Sequence, residues 1–125
     1  MKLMELPNFF IGIDIVEVDR INKLILRSGE MFKNRIFTSL EQKYCDSKSS
    51  PSIHFAGRFA AKESIIKAVK SSGYKNPIPF KDIEILPSNT GVPIVDLHFK
   101  LEYECKVSIS HTKSYATASA LYIQK

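Results

Sequence analysis

The stretch NFFIGIDIVEVDRINKLILR, residues 8–27, changes period halfway along. Over Asn8–Ile15, Ile11, Ile13 and Ile15 fall on one side and Gly12 and Asp14 on the other, the two-residue period of a strand. Val18, Ile21 and Ile25 then recur at helical spacing, with Arg20, Lys23 and Arg27 on the opposite face. Gly29 is a natural stop. The reading is a strand that runs straight into a basic, amphipathic helix.

Outward from there, Thr38 followed by Glu41 is a capping-box pattern and predicts a short helix over 38–47. SKSSPS, residues 47–52, is a loop. His54–Lys70 has no Pro and one Gly, is rich in Ala and Lys, and predicts the longest helix, ended by Gly73. Lys75–Pro79 is irregular. Lys81–Leu86 and Ile94–Phe99 read as strands around the turn LPSNTGVP, residues 86–93. Val107–Thr112 and Tyr115–Ile123 read as a closing hairpin. No repeat or linker interrupts the chain, so residues 1–125 are expected to form a single domain. A strand, then helices, then several strands predicts an α+β fold. Its antiparallel sheet should pack against one long and two shorter helices.

Composition narrows the function classes. Hydrophobic residues at 44% and charged residues at 25% are globular values and exclude a disordered tail or a fibre. The longest uncharged stretches, Ile85–Val95 and Ser114–Gln124, have eleven residues each, against the ~20 that span a bilayer. No membrane association is expected, and MKLMELPNFFIGID does not read as a secretory signal. Cys45 and Cys105 lack metal-ligand spacing and read as reduced thiols of a cytoplasmic protein. The net charge of +5 is unevenly spread: residues 1–19 sum to −3, residues 20–75 to +8, and residues 76–125 balance. A basic middle segment suits an acidic or phosphate-bearing partner, or forms a solvated helical surface.

Three groups of residues can carry chemistry. Asp14 interrupts an apolar strand, where a carboxylate is either a ligand or a solvated strand-end residue. In GRFAAKES, residues 57–64, Arg58 and Lys62 are four apart and share a helix face, an arrangement that an anion would satisfy. Glu63 can bind a hard cation through oxygen, or form an ordinary i,i+4 pair with Lys67. In VSISHT, residues 107–112, Ser108, Ser110 and Thr112 share one strand face, and Val107, Ile109 and His111 the other. No Gly-x-Ser-x-Gly, P-loop or dinucleotide-binding pattern is present, and the three histidines lack zinc-site spacing.

Taken in order, IGIDIVEVDRI (11–21), FAGRFAAKE (55–63), Gly91-Val92-Pro93 and VSISHT (107–112) closely resemble holo-acyl-carrier-protein synthase, the small single-repeat branch of the 4′-phosphopantetheinyl transferases. Arg35 to Thr38, with Glu41, also fits that family's second helix. Val92, Ser64 and Ser71-Ser72-Gly73 depart from the family's usual residues. The resemblance implies the phosphopantetheinyl transferase fold. It also implies transfer of 4′-phosphopantetheine from coenzyme A to a serine of apo acyl carrier protein. That reaction releases 3′,5′-ADP and serves fatty acid biosynthesis. It further implies Mg²⁺, and a homotrimer with sites between subunits.

By the same resemblance Asp14 and Glu63 hold the metal, and Lys62 contacts the phosphates with Arg58 in support. Ser110, His111 and Thr112 lie near the nucleotide, Gly91 and Pro93 shape its pocket, and Arg20 and Arg27 dock the acidic carrier. Two carboxylates suit Mg²⁺, which takes its remaining ligands from water and phosphate. Three other readings use some of the same features. A nucleic-acid module would want aromatic residues interleaved with Arg or Lys on its strands, and the predicted strands carry little of that. A non-catalytic carrier-binding subunit would have no need of both carboxylates. A Mg²⁺-dependent phosphate hydrolase differs only in its acceptor.

Overall fold

The computed structural model describes residues 8–99 and 103–124, the side chain of Tyr103 excepted. Strand β1, Phe9–Glu17, leads without a loop into α1, Val18–Ser28, as the change of period predicts. A second short helix, α2, Glu30–Ile36, follows at once, a feature absent from the sequence reading. It escapes notice because Gly29, at φ +54°, ends α1 and is also the residue before α2. Helix α3, Ser39–Asp46, carries the expected capping box: Glu41 N–H donates to Thr38 Oγ1 at 3.2 Å, and Thr38 N–H to Glu41 Oε1 at 2.9 Å. Helix α4, Pro51–Ser71, is the longest and starts on a proline, whose fixed φ and missing N–H suit the first turn.

Strands β2, Ile83–Pro87, and β3, Pro93–Leu97, pair antiparallel, preceded by a 3₁₀ turn at Phe80–Asp82. Strands β4, Tyr103–His111, and β5, Tyr115–Gln124, form the closing hairpin. The main sheet has the order β1-β5-β4, all antiparallel, with β2-β3 a separate ribbon against β4 and α3. The α+β expectation holds, with three short helices in place of two.

Helix α4 lies across β1, β5 and β4, and small residues let it come close. Ala56, Ala60, Ala61 and Ala68 on the helix, and Ala116, Ala118 and Ala120 on β5, are all buried. The tightest approach is at Gly12, where an added Cβ would lie 1.9 Å from the Ser64 carbonyl oxygen. Only glycine fits there, which fixes which face of β1 meets the helix. That face carries Gly12, Asp14 and Val16; Ile11, Ile13 and Ile15 point the other way, each 66–71% exposed.

Candidate functional site

Because β1 turns its Gly12 face to α4, Asp14 ends up against the helix with its side chain 17% exposed. From α4, the 53%-exposed Lys67 reaches it: Nζ donates to Ile13 O at 2.9 Å and to Asp14 Oδ1 at 3.1 Å. Thr117 on β5 donates its hydroxyl to Asp14 O at 2.9 Å and completes a small pocket with Ile13, Ile15 and Lys67. Glu63 lies one turn before Lys67 on α4. Burial pushes its carboxyl up from the ordinary range, and so does the charge of Asp14, while Lys67, Arg20 and Lys70 pull it back. A half-buried acid that feels the charge of Asp14, with the cationic groups of Lys67, Arg20 and Lys70 close by, suits a hard divalent ion and an anionic substrate.

Lys62 goes elsewhere. Its ammonium is fully buried, donating to Glu41 Oε1 at 2.6 Å, Ile36 O at 2.7 Å and Phe80 O at 3.1 Å. Burial lowers its pKa, and the Glu41 carboxylate holds it up. Glu41 is saturated as well, since Ile85 N–H donates to its second oxygen at 2.8 Å. With every donor direction spent inside the protein, this lysine has nothing left to offer a phosphate, and the lysine that lies beside Asp14 is Lys67. The sequence signal for Lys67 was its i,i+4 relation to Glu63, which fits an ordinary surface pair equally well.

Arg58 anchors a second group. Its side chain is buried, its guanidinium carbon sits 4.3 Å over the Tyr44 ring, and among the described residues its buried Nε meets no acceptor. His54 lies next to this group, its ring 5.9 Å from that of Tyr44 and 6.1 Å from that of His111. Burial lowers the His54 pKa, followed by the charges of Arg58, His111 and Lys48. A half-covered basic cluster with an orphaned guanidinium N–H is built to meet an anion. His54 and Tyr44 were not singled out from sequence, because nothing in their spacing marks them.

The remaining candidates disperse. Ser110 and Thr112 are exposed beside His111, but the Thr112 hydroxyl is engaged by the turn, accepting from Ser114 N–H at 3.2 Å and Tyr115 N–H at 3.1 Å. Gly91, at φ +86°, makes the tip of the β2–β3 ribbon, a backbone angle that favours glycine. Pro93 lines a groove of about 560 Å³ with Phe99, Cys105 and Lys106, distinct from the Asp14 pocket. Arg20 and Arg27 are exposed on α1 and share a shallow groove with Asp19, Lys23 and Leu24.

Comparison with known proteins identifies the family. The 4′-phosphopantetheinyl transferase superfamily profile matches residues 10–120. The chain is 42% identical over 117 residues to the holo-[acyl-carrier-protein] synthase of Protochlamydia amoebophila, covering 90% of this chain and 95% of that one. It is 44% identical over 112 residues to the holo-[acyl-carrier-protein] synthase of Chlorobaculum parvum, covering 89% and 95%. Among solved structures, an ACPS–CoA complex from Chronobacterium ammoniagenes superposes with a TM-score of 0.83 at 30% identity, covering 94% of this chain and 98% of the other. A Helicobacter pylori holo-[acyl-carrier-protein] synthase in complex with coenzyme A superposes at 0.77 with 33% identity, covering 88% and 96%. The profile, the relatives and the shared fold together place this chain in the 4′-phosphopantetheinyl transferase superfamily, as an enzyme of the holo-[acyl-carrier-protein] synthase family.

Proposed function

We propose that this chain, as one domain over residues 1–125, transfers 4′-phosphopantetheine from coenzyme A to a serine hydroxyl of an apo acyl carrier protein. The observation that carries the reading is the Asp14–Glu63–Lys67 constellation, in a chain whose relatives are named for that reaction. The serine oxygen forms the new P–O bond as its proton passes to water, the pyrophosphate linkage breaks, and 3′,5′-ADP departs with the bonding electrons. Asp14 and Glu63 would hold Mg²⁺: two carboxylates face each other across β1 and α4, and burial and the charge of Asp14 raise the Glu63 pKa, a cost that a divalent cation would offset. The bound ion would neutralise pyrophosphate charge, the main need of a phosphoryl-type transfer. Lys67 takes the phosphate-facing role beside it. Arg58, with His54 and His111, offers a second anionic subsite suited to a nucleotide phosphate.

Arg58 and Glu63 are five positions apart on α4, so their side chains leave the helix about 140° apart. One chain therefore spreads the two clusters around the helix, and copies of the chain can bring them together. A homotrimer is supported by the unpartnered isoleucine ridge on β1, which leaves Phe9, Ile11, Ile13 and Ile15 each at least 60% exposed. Arg20 and Arg27 would receive an acidic carrier; Arg20 is near enough to Glu63 to lower its pKa, linking docking face and site. No helix among the described residues is long and apolar enough to cross a membrane, and Cys45 and Cys105 are free thiols. A cytoplasmic role in fatty acid biosynthesis is what the family resemblance implies for this chain. Replacing Glu63 by Gln tests the assignment: Mg²⁺-dependent transfer should vanish while the circular dichroism spectrum stays native. Full activity in that variant would remove Glu63 from the site.

A further inference from the structure

The β2–β3 ribbon carries a group of metal-ligating side chains on elements that contribute nothing to the Asp14–Glu63 pair. Glu84 and Asp96 are directly opposite in the strand register, and His98 lies just past the end of β3, two positions after Asp96. Their ligand atoms all lie within 4.8 Å of one another. We propose that Glu84, Asp96 and His98 form a second divalent-cation site, for an ion of the zinc class.

Like charges directly opposite on paired strands repel, and Glu84 and Asp96 are such a pair. Glu84 is half-buried, and among the described residues its carboxylate accepts no hydrogen bond and makes no close ion pair. It faces Asp96 across the ribbon, while on its inner side its charge is felt by the buried Lys62 ammonium. The imidazole supplies the third donor: His98 Nε2 stands 3.3 Å from Asp96 Oδ2. A tetrahedral ion with bonds of about 2.1 Å holds neighbouring ligand atoms about 3.4 Å apart, so this pair already has the needed separation. The Glu84 carboxylate lies within 4.8 Å of both other ligand atoms. The backbone is fixed for it, since His98 N–H donates to Asp82 O at 2.7 Å and holds the end of β3 against the start of β2.

The donor types select the metal. One imidazole with two carboxylates suits Zn²⁺ or Co²⁺, whereas Mg²⁺ prefers oxygen and water in octahedral array. Three protein ligands leave one position open to water. An ion there would cross-link β2 to β3 and stiffen the ribbon whose tip is Gly91 and whose β3 begins at Pro93. A direct contact between His98 and Asp96 is the competing arrangement, and it needs no metal.

The test uses the untagged full chain carrying Asp14→Asn and Glu63→Gln, so that the first carboxylate pair is disabled. It is titrated with Zn²⁺ by calorimetry and with Co²⁺ by visible absorption. One equivalent should bind, with the intense bands of tetrahedral Co²⁺. Adding His98→Ala should weaken binding at least tenfold, as should adding Asp96→Asn, with native circular dichroism in each. Absence of binding in the first background would overturn the site, as would unchanged affinity in both later variants.

Discussion

Replacing Lys62 by Met separates two roles that adjacent sequence positions confuse. The substitution keeps an unbranched side chain of similar length and removes the charge. Glu41 then remains fully buried, still accepting from Thr38 N–H at 2.9 Å and Ile85 N–H at 2.8 Å, but with its cation gone. The carbonyls of Ile36 and Phe80 lose a donor at the same time. Breaking a buried ion pair by deleting one partner costs about 3–5 kcal/mol, because the other charge is left uncompensated. For a chain of this size that loss lowers the Tm by roughly 10–20 °C. Lys67→Met is the control: its pair with Asp14 is half-exposed, worth ~0–1 kcal/mol, so stability should hardly move while transfer collapses. Adding Glu41→Gln to Lys62→Met should recover part of the lost stability, since no buried charge is then stranded. Thermal melts at one fixed protein concentration, read by circular dichroism, decide the matter. Equal Tm values for Lys62→Met and Lys67→Met would refute the buried-clamp reasoning.

Other consequences are as direct. Gly12→Ala places a methyl group against the Ser64 carbonyl, so β1 must move off α4; a loss of at least about 1–3 kcal/mol in urea unfolding is expected, together with weaker Mg²⁺ dependence as Asp14 leaves Glu63. Glu63 has a raised folded-state pKa, so its ionisation opposes folding: the penalty is absent below the unfolded value and grows as pH rises through the folded one. Without Mg²⁺, Glu63→Gln should therefore raise the Tm at pH 7 and leave it unchanged below about pH 4. His54 should titrate below the usual histidine range in the free protein, by NMR, and move upward when coenzyme A brings a phosphate to Arg58. An unmoved His54 resonance would remove that cluster from the nucleotide subsite.

Much of the fold was written in local periodicity. The strand-to-helix switch at Glu17, the Thr38–Glu41 box and the two hairpins are local signals, and each appears where the chain predicts it. Rotation of the elements was harder to read. On β1 the isoleucine side is the more apolar, yet Gly12 decides the packing because only its face admits the helix backbone. Helix α4 is buried nearly all round and so has no apolar stripe to show which way Glu63, Lys62 and Lys67 point. Asp14 stood out as a carboxylate in an apolar strand, whereas choosing between two lysines on one helix required the partner Glu41, which comes from α3.

Intact-mass spectrometry of an apo acyl carrier protein, incubated with this chain, coenzyme A and Mg²⁺ and in parallel with EDTA, tests the transfer itself. Gain of one phosphopantetheine, abolished by EDTA and by Asp14→Asn, Glu63→Gln or Lys67→Met, is the predicted result. An unchanged carrier mass, with folded enzyme shown to bind both carrier and coenzyme A, would contradict it.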